Sequence, residues 1–185
     1  MTTTDNTKNG LDQKLSYLKL SYMRENYESL AKTAAQKHWT HVNYLTELAS
    51  AEANLRRDRA TQRRIRAARF PQIKTLEQFK WSWPQKINQL QVKNLFRLSF
   101  VVQKSNVIFL GNVGLGKTHL ATALGYHACL QGHTVLFCSA VDAINNLTAA
   151  QSAGRLKQEL KKYHKPALVI LDELGYLAAS LTNAK

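Results

Sequence analysis

Two hydrophobic patterns divide this chain near residue 105. Before that point, apolar residues recur three or four positions apart, as they do on one face of an amphipathic helix. The first such stripe, which predicts one helix, is Leu11, Leu15, Leu18 and Tyr22. The second follows Thr40, a residue type that caps helix N-termini, and is Val42, Leu45, Ala49 and Ala53. The first part of the chain is therefore predicted to be all helical.

The second predicted helix continues into the segment LRRDRATQRRIRAARF and ends before Pro71. Residues 71–90 are too broken for a long helix and carry the bulky residues Phe79, Trp81, Trp83 and Pro84. They predict a linker that packs against the next domain, and stacking of the two tryptophans on nucleic-acid bases is the alternative. A short helix is predicted over residues 91–104.

From residue 106 onwards, apolar runs alternate with segments that favour helices. Strands are predicted at residues 107–111, 133–138 and 167–173, and helices at residues 117–131, 140–152 and 155–165. Gly132 is the predicted C-cap of the first of these helices, and Pro166 ends the third. Strands that alternate with helices over such short connections favour an α/β fold with one parallel sheet.

The charge is concentrated ahead of residue 106. Residues 1–105 hold 19 Lys and Arg against 8 Asp and Glu, whereas residues 106–185 hold 7 against 4. Such a basic segment predicts a polyanionic partner, with DNA or RNA first and an anionic membrane surface second. The polar N-terminus and the lack of a long apolar run predict a cytoplasmic protein without a membrane-spanning helix. Cys129 and Cys138 are interpreted as buried apolar residues in a reducing compartment.

An arginine cluster accounts for much of this charge. Seven arginines lie between residues 56 and 69, and Asp58 is the one acidic residue among them. On a helical wheel, four of them share one face and two flank it. The predicted DNA-binding residues are Arg56, Arg57, Arg59, Arg63, Arg64, Arg66 and Arg69. A helix face that is merely solvated is the alternative interpretation.

The segment GNVGLGKT fits the pattern G-x-x-x-x-G-K-[ST], which holds nucleotide phosphates. Its glycines let backbone N–H groups turn towards a phosphate, an approach that side chains would block. The segment follows an apolar run and precedes a helix, whose positive N-terminal end also favours an anion. The predicted nucleotide-binding residues are Gly111, Asn112, Val113, Gly114, Leu115, Gly116, Lys117 and Thr118.

Two residues are predicted to be catalytic. Lys117 is expected to reach the β- and γ-phosphates of a nucleoside triphosphate, and Glu173 is expected to orient or activate the attacking water. Thr118 and Asp172, which ends the apolar run LVIL, are predicted to hold Mg²⁺. Hydrolysis is favoured over kinase chemistry because Glu173 follows Asp172 directly and no second acceptor-binding motif is visible. His119 either contacts the nucleotide or packs beside its own helix.

Three segments carry a resemblance to a known family. They are LRRDRATQRRIRAARFPQIKTLEQFKWSW, GNVGLGKTHLATALG and RLKQELKKYHKPALVILDELGYL. Together they resemble the IstB-like transposition helper ATPases, a branch of the AAA+ proteins related to DnaC-type helicase loaders. The resemblance implies a P-loop NTPase core of the AAA+ type, with a parallel sheet and an all-α DNA-binding domain ahead of it.

The same resemblance implies a domain order and a set of partners. Residues 1–70 are expected to form the arginine-rich domain that binds double-stranded DNA, residues 71–104 the linker and short helix, and residues 105–185 part of the ATPase domain. ATP and Mg²⁺ are the implied cofactors. ATP is expected to drive self-assembly of the protein along DNA, and the assembly is expected to assist a partner transposase.

The resemblance ends after Leu177, whereas family members continue through a sensor strand, an arginine finger and a lid. Without an arginine finger, hydrolysis is expected to be weak or absent. The parallel sheet is expected to be incomplete, with the strand before the glycine loop and the strand before Asp172 on either side of a vacant position. Two alternatives stay open: a helicase loader, and a non-catalytic fragment that retains DNA binding.

Overall fold

Three helices form the first part of the chain in the computed structural model, which describes residues 3–82 and 87–174. They are α1 (Thr3–Tyr17), α2 (Ser21–Gln36) and α3 (His41–Ala68). The chain divides into two compact units, Met1–Ala60 and Thr61–Lys185, so the division falls within α3. The predicted all-helical start of the chain is confirmed.

The prediction of one helix along the first apolar stripe is wrong. α1 ends at Tyr17, and the backbone turns at Lys19, which has a φ of 55°. α2, which was not predicted as a separate helix, begins two residues later. Its first N–H groups are bonded by Glu52, about thirty positions away, so no local sequence signal marks this start. Leu18 consequently lies between two helices and is 57% exposed.

α3 confirms one prediction and corrects another. Asn43 N donates to Thr40 Oγ1 at 3.2 Å, so Thr40 caps the helix as predicted, and the helix runs into the arginine segment. The predicted apolar face is wrong: in the part of α3 that belongs to the first unit, the buried residues are Leu48 and Glu52, whereas Val42 is 72% exposed and Leu45 is 60% exposed. The buried face lies about a quarter of a turn around the helix from the predicted one, because Glu52 is drawn inwards by the backbone groups it binds.

The second unit alternates helices with two parallel strands. Its helices are α4 (Gln89–Leu95), α5 (Ser99–Val102), α6 (Lys117–Leu130), α7 (Ala140–Ser152) and α8 (Leu156–His164). Its strands are β1 (Val135–Ser139) and β2 (Leu168–Asp172), paired in parallel from Val135 with Leu168 to Ser139 with Asp172. The predicted helices and strands from residue 117 onwards are therefore confirmed to within two residues at every bound.

The short helix predicted over residues 91–104 is two helices. α4 begins at Gln89 with the Asn88 side chain accepting from Gln91 N at 3.0 Å. The chain then breaks at Leu98, which has a φ of 57°, before α5 begins. Leu98 is 4% exposed, so the break places this side chain in the core at the cost of helix continuity.

Residues 107–111 do not form the predicted strand. Within the described residues the sheet has two strands, and the segment ahead of the glycine loop is bonded to neither. Its side chains still alternate as they would in a strand: Val107 and Phe109 pack on the core, whereas Ile108 is 72% exposed and Leu110 is 88% exposed. A strand needs a hydrogen-bonded neighbour, and direct pairing between this segment and β2 is not formed.

The core of the second unit draws on residues that precede the α/β pattern. Its largest buried cluster joins Ala68 to Leu98, Phe100 and residues of α6, β1 and β2. A second cluster contains Phe79 and Leu120, with Trp81 packed against it, which confirms that Trp81 docks on this domain. The predicted boundaries at residues 70 and 104 are thus not where the compact units divide. Trp83, Pro84 and the segment GYL after Leu174 lie outside the described residues.

The described helices include no segment that combines the length and the apolar character needed to cross a membrane.

Candidate nucleotide-binding site

The glycine loop has the backbone that its sequence predicts. Gly114 and Gly116 both have a φ of 82°, in the left-handed region that other residues enter at a cost. A Cβ on Gly116 would lie 2.6 Å from Phe79 Cε2, so this position also needs glycine for space. Gly116 is the N-cap of α6, and the helix begins at Lys117, so its free N–H groups lie at the loop.

Lys117 extends back over this loop. Its Nζ donates to the carbonyl oxygens of Gly111 at 2.9 Å and Asn112 at 2.8 Å. The ammonium group and the N-terminal end of α6 therefore bring positive charge to the same place. Val113 is 87% exposed at the outer side of the loop. This arrangement suits a bound polyphosphate.

The two residues predicted to hold a metal ion are in direct contact. Thr118 lies in the first turn of α6, and Asp172 is the last residue of β2. Thr118 Oγ1 donates to Asp172 Oδ1 at 3.1 Å, although 54 positions separate them. A hydroxyl and a carboxylate oxygen are the hard oxygen ligands that Mg²⁺ prefers, so this donor pair fits the ion.

Glu173 follows at the exit of β2. It has a φ of 62°, and as a non-glycine residue it holds this left-handed conformation under strain. The turn takes the chain out of the strand directly after Asp172, and Glu173 itself is exposed.

The turn TLEQF, residues 75–79, borders the loop. Thr75 N donates to Gln78 Oε1 at 3.1 Å, and the Thr75 side chain hydrogen-bonds Glu77, which lowers the pKa of that carboxyl. The turn places Phe79 edge-on to His119, with ring centres 5.4 Å apart. His119 Nε2 also lies 2.9 Å from Thr75 O, so the structure favours packing over nucleotide contact for this histidine.

A groove of about 450 Å³ lies between this turn and the glycine loop. Its lining includes Lys74, Gln78, Phe79, Gly114 and Gly116. Sequence reasoning identified the turn as a packing segment but missed its contribution to a groove. No sequence signal places Phe79 at the phosphate motif, because Gly111 lies 32 positions further along the chain and their proximity arises only from the fold.

In the first unit, Arg56 is bonded within the protein. Its Nε lies 3.2 Å from Glu52 Oε1, and its Nη2 donates to Leu18 O and Lys19 O at the end of α1. Glu52 is 3% exposed, and its other oxygen accepts from Tyr22 N at 2.7 Å at the start of α2. The two side chains therefore hold the turn between α1 and α2.

The remaining arginines differ from one another. Arg57 Nη1 donates to Asn54 Oδ1 and Arg59 Nη1 donates to Ser21 Oγ, both within the first unit. Arg64 Nε donates to Cys129 O within the second unit. Arg63 and Arg66 are exposed, and their side chains make no hydrogen bond or ion pair with the described residues. Arg69 is also exposed, at the end of α3.

A glycine loop at the start of a helix, beside an aspartate that ends a parallel strand, defines a P-loop nucleotide-binding protein. A family model described as "IstB-like ATP binding protein" matches residues 13–185. The chain belongs to this family of IstB-like ATP-binding proteins.

Several relatives are insertion-sequence proteins. The chain is 40% identical over 94% of its length to the Insertion sequence IS21 putative ATP-binding protein of Pseudomonas aeruginosa. It is 33% identical over 90% of its length to the IS5376 putative ATP-binding protein of Geobacillus stearothermophilus. It is 32% identical over 97% of its length to the IS232 putative ATP-binding protein of Bacillus thuringiensis subsp. berliner. The chain spans 66%, 66% and 72% of these relatives' lengths, in that order.

Proposed function

We propose that this chain binds ATP with Mg²⁺ at the loop Gly111–Thr118 and serves as a DNA-associated helper of a transposase. The observation that carries the proposal is the hydrogen bond between Thr118 and Asp172 beside the glycine loop. It joins the hydroxyl and the carboxylate that a magnesium nucleotide needs. We also propose that the core of the second unit is of the AAA+ type.

Each residue has a defined part in this proposal. The loop N–H groups and Lys117 bind the phosphates, and Thr118 and Asp172 hold Mg²⁺. When bound, Mg²⁺ neutralises charge that develops on the phosphate oxygens. Glu173 orients the attacking water and accepts its proton. The groove beside Phe79 is large enough to take the nucleoside. We predict that this chain hydrolyses ATP weakly or not at all.

The DNA-associated part rests on charge and on the relatives. Arg63, Arg66 and Arg69 are exposed guanidinium groups near the end of one helix, and in the first unit Arg57 and Arg59 are also exposed. Such groups suit the phosphates of double-stranded DNA. The insertion-sequence relatives favour a transposition helper over a helicase loader. We further propose that the protein assembles on DNA and that a transposase is its partner. The proposed location is the cytoplasm.

Titration with a fluorescent ATP analogue in Mg²⁺ tests the nucleotide site. Lys117→Ala is expected to weaken binding about 10- to 100-fold, because it removes a charged contact to the phosphates. Lys32→Ala is the matched control, since Lys32 is an exposed lysine on α2 in the other unit. It should bind as the unsubstituted chain does. Equal binding by Lys117→Ala would contradict the proposed site.

Sedimentation with a DNA duplex tests the remaining part. We expect complexes with DNA to grow larger when ATP and Mg²⁺ are added, and a purified transposase to join them. Lys117→Ala should remove the effect of ATP and leave binding to DNA in its absence unchanged. Complexes whose size and composition do not change when ATP is added would support the alternative of a fragment that only binds DNA.

A further inference from the structure

Arg64 differs from the arginines beside it in the same turns of α3. Arg63 and Arg66 are exposed, whereas Arg64 is half-buried. Its Nη2 donates to Thr61 Oγ1 at 2.9 Å, and its Nε donates to Cys129 O at 3.0 Å. Both acceptors belong to the second unit, so the guanidinium group of Arg64 donates to the protein itself.

The acceptor of Arg64 lies in the last turn of α6. This end is closed by two backbone bonds, from Gly132 N to Cys129 O at 3.2 Å and from His133 N to Ala128 O at 2.9 Å. Cys129 is fully buried. A cation at a helix C-terminus also meets the negative end of the helix dipole. Arg64 therefore binds firmly to the end of α6 opposite the glycine loop.

α6 has little room to move between its neighbours. A Cβ on Gly125 would lie 2.5 Å from Ile170 Cδ1 and 2.9 Å from Phe70 Cε1. Phe70 directly follows the end of the arginine segment, and Ile170 lies two residues before Asp172 in β2. A displacement of α6 along its axis, which is about 20 Å long, would therefore reach Lys117 and Thr118.

We infer that Arg64 is a positioning residue, not a DNA contact, and that it couples DNA binding on the exposed side of α3 to nucleotide binding at the start of α6. The inference rests on the proposed function. Phosphates held by Arg63 and Arg66 fix the position of this turn of α3 on the DNA. The Arg64 bond passes that constraint to α6, and because α6 is packed along its length, the constraint limits displacement of Lys117 and Thr118 at the start of the helix.

A linkage measurement on the full chain tests this coupling. The Kd for a fluorescent ATP analogue in Mg²⁺ is measured with and without saturating DNA duplex. In the unsubstituted chain, DNA should tighten nucleotide binding about fivefold or more. In Arg64→Gln the ratio should fall to nearly one, whereas Lys157→Gln, which removes an exposed charge on α8 of the same unit, should keep it. An unchanged ratio in Arg64→Gln, or no coupling in the unsubstituted chain, overturns the inference.

The salt dependence of DNA binding separates positioning from contact. Arg63→Gln should reduce the slope of log K against log salt concentration by about 0.9, the value for one phosphate contact. Arg64→Gln should leave that slope unchanged. A reduction of the same size in Arg64→Gln would identify Arg64 as a phosphate contact and overturn the inference.

Two further measurements guard against a folding defect. Arg64→Lys keeps the charge at the end of α6 but loses the forked geometry, so its coupling ratio should lie between those of the native chain and Arg64→Gln. In a Cys138→Ser background, the thiol of Cys129 reports opening at the end of α6. DNA should slow its modification in the presence of Arg64 and not in Arg64→Gln; equal slowing in both overturns the inference. If the unsubstituted chain does not bind the nucleotide, or does not bind DNA, when each is offered separately, the proposed function is overturned as well.

Discussion

The glycine loop and the arginine helix were equally conspicuous in the sequence, but the structure treats them differently. At the loop, Lys117, Thr118 and Asp172 come together as their spacing predicts. On α3, Arg56 and Arg64 donate hydrogen bonds to backbone and side-chain oxygens of the protein itself. A motif with fixed geometry therefore predicts the position of each side chain. A cluster of charged residues predicts the charge of the segment as a whole, whereas its individual side chains have different roles.

The largest expected effect concerns the backbone geometry of the glycine loop. Gly116→Ala should lower the free energy of unfolding by about 2–4 kcal/mol, because its Cβ would meet the buried ring of Phe79 in addition to the strain of a positive φ. Gly114→Ala has the same φ and open space, so it should cost about 1–2 kcal/mol. Urea unfolding compares the two. Equal losses would mean that contact with Phe79 is unimportant.

The next effect tests whether Arg56 is structural. Arg56→Gln should lower the free energy of unfolding by about 1–3 kcal/mol, because the buried carboxylate of Glu52 loses its ion pair. Arg57→Gln, at the neighbouring position, should change it by less than about 0.5 kcal/mol. Thermal unfolding of the two variants measures the difference. If Arg57→Gln proved the more damaging, the assignment of roles on this helix would be wrong.

A smaller effect concerns strain at the candidate site. Glu173→Gly should raise the free energy of unfolding by up to about 1 kcal/mol, since glycine accepts a φ of 62° without steric cost. Glu173→Gln keeps the strained backbone and should leave stability nearly unchanged. Calorimetry on both variants separates the backbone from the carboxylate. A loss of stability in Glu173→Gly would argue against strain at this residue.

The smallest effect on stability belongs to the exposed arginines. The double variant Arg63→Gln and Arg66→Gln should unfold within about 0.5 kcal/mol of the native chain, because neither side chain bonds to the described residues. Its DNA affinity should nevertheless fall, and the slope of log K against log salt concentration should decrease by about 1.8. An unchanged slope would favour a merely solvated helix face.

The sequence predicted best where the structure depends on local signals. The glycine loop, the start of α6 at Lys117 and the end of β2 follow from residue types that act within a few positions of one another. The cap at Thr40 belongs to the same class, because its acceptor and donor are three residues apart. These parts of the fold and of the candidate site were therefore predictable.

The sequence predicted worst where distant residues decide the structure. α2 begins where Glu52 meets its N–H groups, and the inward face of α3 follows from that contact. The role of Arg64 depends on Cys129, 65 positions away. Residues 107–111 have the composition of a strand but no strand beside them among the described residues. Periodicity and composition carry no information about such partners.

A double-mutant cycle on Thr118 and Asp172 tests the shared magnesium site most directly. Affinity for a fluorescent ATP analogue is measured for Thr118→Val, Asp172→Asn and the double variant, with Mg²⁺ and with EDTA. We predict that each single change weakens binding about tenfold in Mg²⁺ and little in EDTA, and that the double variant binds no worse than the weaker single variant. Losses that multiply, or that persist in full in EDTA, would contradict a shared magnesium site.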